Sequence, residues 1–285
     1  MSSHEWKVLY STIKQVHKSI PRTARRTMYS DVLIVALYFW SVLHDRPLCW
    51  ATQRKHYTSL FRPRRLPSRS QFCRRIRTPR GEALVAAVQQ RRAQSTAATP
   101  FMFWDGRAFP VGPDTTDPDA RAGRYSGGFA RGYKLHALVT EDGRFPQIRS
   151  TALNVCAKRM ARELVAQATL GGVVLADGNY DDKRLYDAVS QRGALLFTPL
   201  PKNAGQGQHY QAWSRLLAAR LWADGTPPFY ERRRAVERYF GQFSGFGGGL
   251  APLPAWVRTL PRVRRWITAK VAIYQARFVA RRAAC

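Results

Sequence analysis

Five side chains in this sequence could assemble chemistry together. Tyr230, Arg233 and Glu237 stand three and four residues apart in Tyr230-Glu-Arg-Arg-Arg-Ala-Val-Glu237, so on a helix they fall on one stripe. A phenol, a guanidinium and a carboxylate then project together from a rigid surface. Upstream, Asp105 and Asp177 each follow a short apolar run, Phe101-Met-Phe-Trp104 and Gly172-Val-Val-Leu-Ala176, and each directly precedes a glycine. Strand ends feeding loops are where α/β sheets place ligands, and a glycine lets a phosphate approach closely. With Glu237, the two aspartates form a set of hard oxygen donors suited to Mg²⁺ or Mn²⁺. Two such ions roughly 3.5–4 Å apart can activate an attacking oxygen and stabilise a leaving one at a phosphodiester. Taken alone, each aspartate is an ordinary strand-end turn residue; the joint arrangement is what points to a metal site. The other acidic residues have plainer uses. Asp114, Asp117 and Asp119 lie in a Pro-rich loop, Asp181, Asp182 and Asp187 open or ride a helix, and Glu231 faces away from the stripe.

Positioning such a set takes a sheet. Phe101 to Trp104 reads as a strand, and Tyr133 to Thr140 pairs with Phe145 to Leu153 around the turn Glu141-Asp-Gly143. Residues 157 to 169 have helical periodicity, Gly172 to Ala176 is a buried strand, Asp181 to Ser190 a helix and Ala194 to Thr198 a further strand. A helix around Trp213 to Leu221 follows, then the motif helix from Glu231 to Phe243, stopped by Gly245 and Gly247-Gly-Gly249. This order describes an α/β fold with an RNase H-like five-stranded mixed sheet and flanking helices, preceded by an all-α N-terminal region. In such a sheet the first and fourth strands are neighbours, which brings Asp105 and Asp177 together. Lys134 and His136 alternate with Leu135, so both can face the site. Trp104 is expected in the core more readily than on a base. Gly123 to Gly132, rich in glycine and arginine, reads as a flexible lid or DNA-contacting loop. The expected divisions are 1–98, a helical DNA-binding region; 99–245, the catalytic domain; and 246–285, a C-terminal basic helix covering the sheet. The small polar residues 93–100 are the expected linker.

Composition names the class of partner. The net charge is +29, from 47 Lys and Arg against 18 Asp and Glu, and only 9 of the basic residues are Lys. Arginine is the planar, bidentate phosphate donor, so the bias favours a polyanion, and nucleic acid over a membrane surface. In the stretch Leu60 to Arg77, Pro67 ends one element and Ser68 or Ser70 caps the next. That helix would bury Phe72 and Ile76 and carry Arg74, Arg75 and Arg77, as a helix-turn-helix near 60–78 requires; a basic surface helix in a bundle is the alternative. Asp31 is placed to cap the apolar run Val32 to Leu43, which is too short to span a bilayer and reads as a buried helix. The four cysteines show no paired spacing, which argues against zinc and for a reducing compartment. No signal segment opens the sequence, and a soluble protein is expected.

With these residues in hand, the chain resembles a bacterial insertion-sequence transposase of the DDE type, in the group with a Y-x2-R-x3-E-x6-K signature. Asp-Gly-Arg at 105 to 107, Gly-Tyr-Lys-Leu-His at 132 to 136, Ala-Asp-Gly-Asn-Tyr-Asp at 176 to 181 and Val-Glu-Arg-Tyr-Phe-Gly at 236 to 241 carry the resemblance. It implies a catalytic, metal-binding set of Asp105, Asp177 and Glu237 that uses Mg²⁺ or Mn²⁺, with two ions. It implies DNA-backbone contacts from Tyr230 and Arg233. Arg234, Arg238, Lys134, Arg74, Arg75 and Arg77 are further DNA-binding candidates. It also implies cleavage at inverted-repeat transposon ends, strand transfer, a homodimer on double-stranded DNA and a bacterial cytoplasmic, nucleoid-associated location. The signature lysine falls at Ser244, which carries no charge. That departure leaves open a catalytically impaired, transposase-derived DNA-binding protein, and another RNase H-like DNA nuclease is the third reading.

Overall fold

The computed structural model describes residues 2–21, 27–94, 99–200, 212–244 and 253–282. Chain contacts divide it into two compact units, Met1–Gln94 with Phe243–Cys285, and Ser95–Gln242.

The first unit is helical. It opens with α1 (Ser3–Ser19), α2 (Asp31–Leu43), α3 (Arg69–Ile76) and α4 (Pro79–Ala93). A reciprocal capping box starts α1, with Ser2 N donating to Glu5 at 2.8 Å and Glu5 N donating to Ser2 at 3.2 Å. Ser30, rather than Asp31, caps α2 by accepting from Leu33 N. Asp31 is instead the first helical residue and holds Arg75 at 2.5 Å and Arg80 at 2.5 Å. From Ile34 to Leu43 every residue of α2 is buried, as an apolar run without a polar face demands. Ser68 caps α3 in a second capping box with Gln71, and Phe72 and Ile76 are its buried residues. No α-helix lies directly before α3, because residues 57–67 form turns and an isolated bridge between Thr58 and Phe61. The expected helix-turn-helix is thus present only as its basic second helix, which a two-residue turn joins to α4.

The second unit holds a six-stranded mixed sheet made of β1 (Phe101–Val111), β2 (Arg121–Tyr125), β3 (Gly128–Thr140), β4 (Gln147–Ala152), β5 (Val173–Ala176) and β6 (Leu195–Phe197). β1 runs antiparallel to β3 and parallel to β5, β5 is parallel to β6, and β2 and β4 both pair with β3. Leaving β2 aside, the spatial order is β4-β3-β1-β5-β6, the RNase H-like order. β2 is the strand beyond the expected five, and it lies where a loop was expected. Its sequence Arg-Ala-Gly-Arg-Tyr shows no apolar face, so only pairing with Gly128 to Gly132 of β3 makes it a strand. β1 also continues past Asp105 to Val111, because its register with β3 is unbroken from Met102 to Val111. α5 (Ala157–Val165), α6 (Lys183–Ser190), α7 (Trp213–Ala223) and α8 (Arg234–Ser244) follow in chain order.

The C-terminal helix, α9 (Leu260–Arg282), was expected over the sheet. Its neighbours are α4, α1 and α2. Val263, Ile267, Ala269, Val271, Ala272, Ile273 and Ala276 are all fully buried, so α9 is apolar on several sides and must be surrounded. Polar ties match this placement, with Arg265 on Glu82 at 2.5 Å, Arg277 on Glu5 at 3.3 Å and Lys270 on Asp45 at 2.5 Å. Among the described residues no helix is long and apolar enough to cross a membrane. Half of the expected linker, residues 95–98, lies outside the described residues, and its first residue, Ala93, ends α4.

Candidate active site

The sheet register places the two aspartates. β1 and β5 run parallel and pair up to Trp104 opposite Ala176. The next residue on each is Asp105 and Asp177, so the carboxylates emerge side by side where the parallel pairing ends. Each fixes one oxygen on a backbone N–H. Gly106 N donates to Asp105 Oδ1 at 2.7 Å, and Asn179 N donates to Asp177 Oδ1 at 2.9 Å. The second oxygens face a common cation.

That cation is Arg233. Its guanidinium lies 3.6 Å from Asp105 Oδ2, 3.7 Å from Asp177 Oδ2 and 3.6 Å from Glu237 Oε1. These distances are those of ion pairs rather than close hydrogen bonds, and Arg233 Nε is buried without a hydrogen-bond partner. The stripe that carries Arg233 is not one α-helix. Pro228–Arg233 is a 3-10 turn that passes into α8 at Arg234. In a 3-10 helix residues three apart eclipse, which aligns Tyr230 with Arg233. In an α-helix residues four apart are neighbours, which aligns Arg233 with Glu237. The spacing of three and then four thus follows the change of helix type.

Aromatic packing clamps this turn to the sheet. The Phe229 ring lies 4.8 Å from Phe197, and Tyr230 packs 5.0 Å from Trp222. The Tyr230 hydroxyl donates to Ala176 O at 3.0 Å, the carbonyl just before Asp177. Tyr230, expected on DNA, is therefore tied to the strand that presents the carboxylate. Burial pushes its phenol up to about 12. Arg107 Nη1 donates to Phe240 O at 2.9 Å, joining β1 to α8.

The electrostatics are under-compensated. Asp105 has 16 % of its side chain exposed, Asp177 33 % and Glu237 68 %. Burial raises Asp105 to about 6; Arg233 and the Gly106 N–H oppose the rise, and the charges of Asp177 and Glu237 add to it. Three ionised carboxylates around one guanidinium carry a formal charge of −2, and their donors are the hard oxygens a divalent cation prefers. The donor type fits Mg²⁺ or Mn²⁺. The spacing keeps the carboxylates on the guanidinium, and among the described residues no three His, Cys, Asp or Glu side chains are drawn onto one metal position.

These residues line an open cleft of about 730 Å³. Lys134 lines it too, lying so close over Gly106 that a Cβ there would meet its Cε at 2.6 Å. Arg124 and Tyr125 of β2 and Ser126 of the turn reach the cleft, so the segment read as a loop contributes as a hairpin. His136 does not face it. The ring is fully buried, hydrogen-bonded to Thr151 Oγ1 at 2.9 Å, and burial pushes it down to about 3, leaving it neutral. Trp104 is core, 6.5 Å edge-on to Tyr180.

Tyr180 was not singled out by sequence reasoning. It is 2 % exposed, its hydroxyl has no hydrogen-bond partner, and it lines the cleft. Burial, with the charges of Asp105 and Asp177, raises its phenol well above the usual range, so it stays a neutral donor. The signal was its place three residues after Asp177.

The remaining DNA-binding candidates are dispersed. Arg234 is exposed and paired with Glu231 at 2.8 Å, and Arg238 is exposed beside the Tyr239 ring. In the helical unit Arg74 and Arg77 are exposed, while Arg75 is held by Asp31. The Ser244 side chain lies outside the described residues.

Residues 115–224 match a family model described as "Transposase DDE domain". The match includes Asp177 and ends before Tyr230. A solved structure titled "Mos1 transposase paired-end complex with left transposon end" is similar at 13% identity, covering 79% of this chain and 83% of that chain, with a TM-score of 0.24. No curated protein matches the chain.

Proposed function

We propose that this chain, whose residues 115–224 match a family model described as "Transposase DDE domain", is a DNA transposase of the bacterial insertion-sequence kind that cleaves transposon ends and transfers the freed strand. Asp105, Asp177 and Glu237 would hold Mg²⁺ or Mn²⁺, which when bound supplies positive charge beside the scissile phosphodiester. The observation that carries this reading is the convergence of the three carboxylates on Arg233 at 3.6–3.7 Å. They converge from two strand ends and a helix, on a cluster with an excess of negative charge. A divalent ion and the Arg233 guanidinium compete for the same oxygens. Lys134 and Arg124, on the same cleft, suit the DNA backbone. Tyr180 offers a neutral hydroxyl to a non-bridging phosphate oxygen. The surplus of arginine over both units would make DNA affinity fall steeply with salt. A homodimer on double-stranded DNA accords with two ends being processed together.

The test uses DNA carrying the inverted repeats that flank the gene, with Mg²⁺ or Mn²⁺. The protein is expected to nick and join these ends, and Asp105→Ala, Asp177→Ala and Glu237→Ala each to abolish both while end binding persists. Cleavage that survives in any of the three variants would falsify the site. End binding by the unaltered protein with no nicking would support a DNA-binding derivative, the reading that Ser244 at the signature lysine favours. Nicking without end preference or joining would support a plain nuclease.

A further inference from the structure

The helical unit contains a cavity that the catalytic reading does not use. It encloses about 160 Å³ and lies among the C-terminal half of α2, the segment Arg46 to Cys49, α3 and the start of α9. Five arginines line it, Arg46, Arg69, Arg77, Arg262 and Arg265, and no acidic residue does. Four of them are exposed, and the side chains of Arg46, Arg69 and Arg77 make no hydrogen bond or close ion pair among the described residues. Arg265 differs: only 5 % of its side chain is exposed, one nitrogen meets Glu82 Oε1 at 2.5 Å, and its Nε is buried with no partner. A buried guanidinium with a donor unmatched is costly unless something accepts from it.

Three aromatic residues, Tyr38, Trp256 and Trp266, also line the cavity, among small and aliphatic side chains. Trp266 is buried, and Trp256 is 38 % exposed. Two residues of positive φ adjoin the same wall, of which only Thr259 is strained. Asp45, before Arg46, has φ 50, and Thr259, before α9, has φ 68. A positive φ at a β-branched residue is a true outlier, and such strain collects where a site is held in shape.

We propose that this cavity binds one nucleotide, with the base between Trp256 and Trp266 and the phosphate on the exposed arginines. A cavity of roughly 150 Å³ admits a single aromatic ring, so the base fits inside and the phosphate stays outside. An indole face stacks on any base. Arginine forks match the phosphate, and the unmatched Arg265 Nε–H suits a base edge that offers an acceptor. The nucleotide is either free or part of a DNA strand, and this site is independent of the carboxylate cluster.

Cys49 and Cys73 line the cavity as free, partly exposed thiols, which supplies a local readout. The full chain is treated with iodoacetamide and labelling is read peptide by peptide, alone and with deoxyadenosine monophosphate, inorganic phosphate or a 5′-phosphorylated single-stranded oligonucleotide. The mononucleotide is expected to slow labelling of both cysteines saturably, at concentrations where inorganic phosphate does not. Trp256→Ala and Arg77→Ala alter exposed side chains, and each is expected to raise the protecting concentration about tenfold with an unchanged melting temperature. A strand that protects at far lower concentration than the mononucleotide assigns the site to DNA; equal concentrations assign it to a free nucleotide. Absence of protection, equal protection by inorganic phosphate, or indifference to both substitutions would overturn the proposal.

Discussion

Asp105→Asn is expected to make the metal-free protein more stable, although it removes a residue central to the proposed chemistry. Burial takes the Asp105 carboxyl from its ordinary 3.8 to about 6. Each pKa unit corresponds to about 1.4 kcal/mol, so ionised Asp105 costs the fold roughly 3 kcal/mol. The side chain is only 16 % exposed, so solvent screening relieves little of this. The folded state holds the proton between pH 3.8 and about 6 while the unfolded chain has released it, so stability falls as pH rises through that window. Above pH 6 the cost is complete. Asparagine keeps an oxygen to accept from Gly106 N and never ionises. At pH 8 in a chelator, Asp105→Asn should therefore melt about 5–10 °C higher, and the gap should close as pH approaches 4. Calorimetry of both proteins across this range follows the group and the carboxylates coupled to it, because titrations remote from the cluster cancel in the difference. A variant less stable than the parent at pH 8, or a gap that does not change with pH, would refute the electrostatic reading of the cluster.

Two further substitutions test the frame of each unit. Tyr230→Phe removes the hydroxyl that donates to Ala176 O; the expected loss is about 0.5–1.5 kcal/mol, read as a lower melting temperature of the sheet unit, and an unchanged one would mean the hydroxyl does not tie the turn to β5. Asp45→Asn leaves fully buried Lys270 without its carboxylate partner and should cost about 3–5 kcal/mol, asparagine being tolerant of the positive φ there. Burial lowers the Lys270 pKa, so this loss should shrink as pH rises and the amine sheds its proton, and adding Lys270→Met should recover stability; a pH-independent loss would contradict the assignment.

Much of the fold was legible because its signals are local. Two apolar runs ending in Asp-Gly marked the neighbouring strands, and their parallel register then places the carboxylates side by side without further assumption. What was missed depends on partners distant in sequence. The extension of β1 through Val111 and the existence of β2 both follow from pairing with β3, whose thirteen residues hold neighbours on both edges. Arg121 to Tyr125 alone, with two arginines and a glycine, carries no strand pattern. The home of α9 was misjudged because its basic residues suggested a surface face, whereas Lys270 and Arg265 are buried and spent on Asp45 and Glu82. Charge counted along a sequence does not reveal which cations are already used.

The same principle explains Arg233. A stripe of tyrosine, arginine and glutamate on a helix surface reads as two DNA-backbone contacts beside a metal-binding carboxylate. Yet three carboxylates within reach of one another raise each other's protonation unless a cation lies among them, and Arg233 is the cation that the 3-10 to α transition delivers there. Tyr230 is turned inward by the same turn and spends its hydroxyl on the carbonyl before Asp177. Only Glu237, 68 % exposed, still looks outward. The motif therefore organises the charge of the cleft before it can contact any ligand, and a ligand drawn to these carboxylates must displace the guanidinium or share them with it.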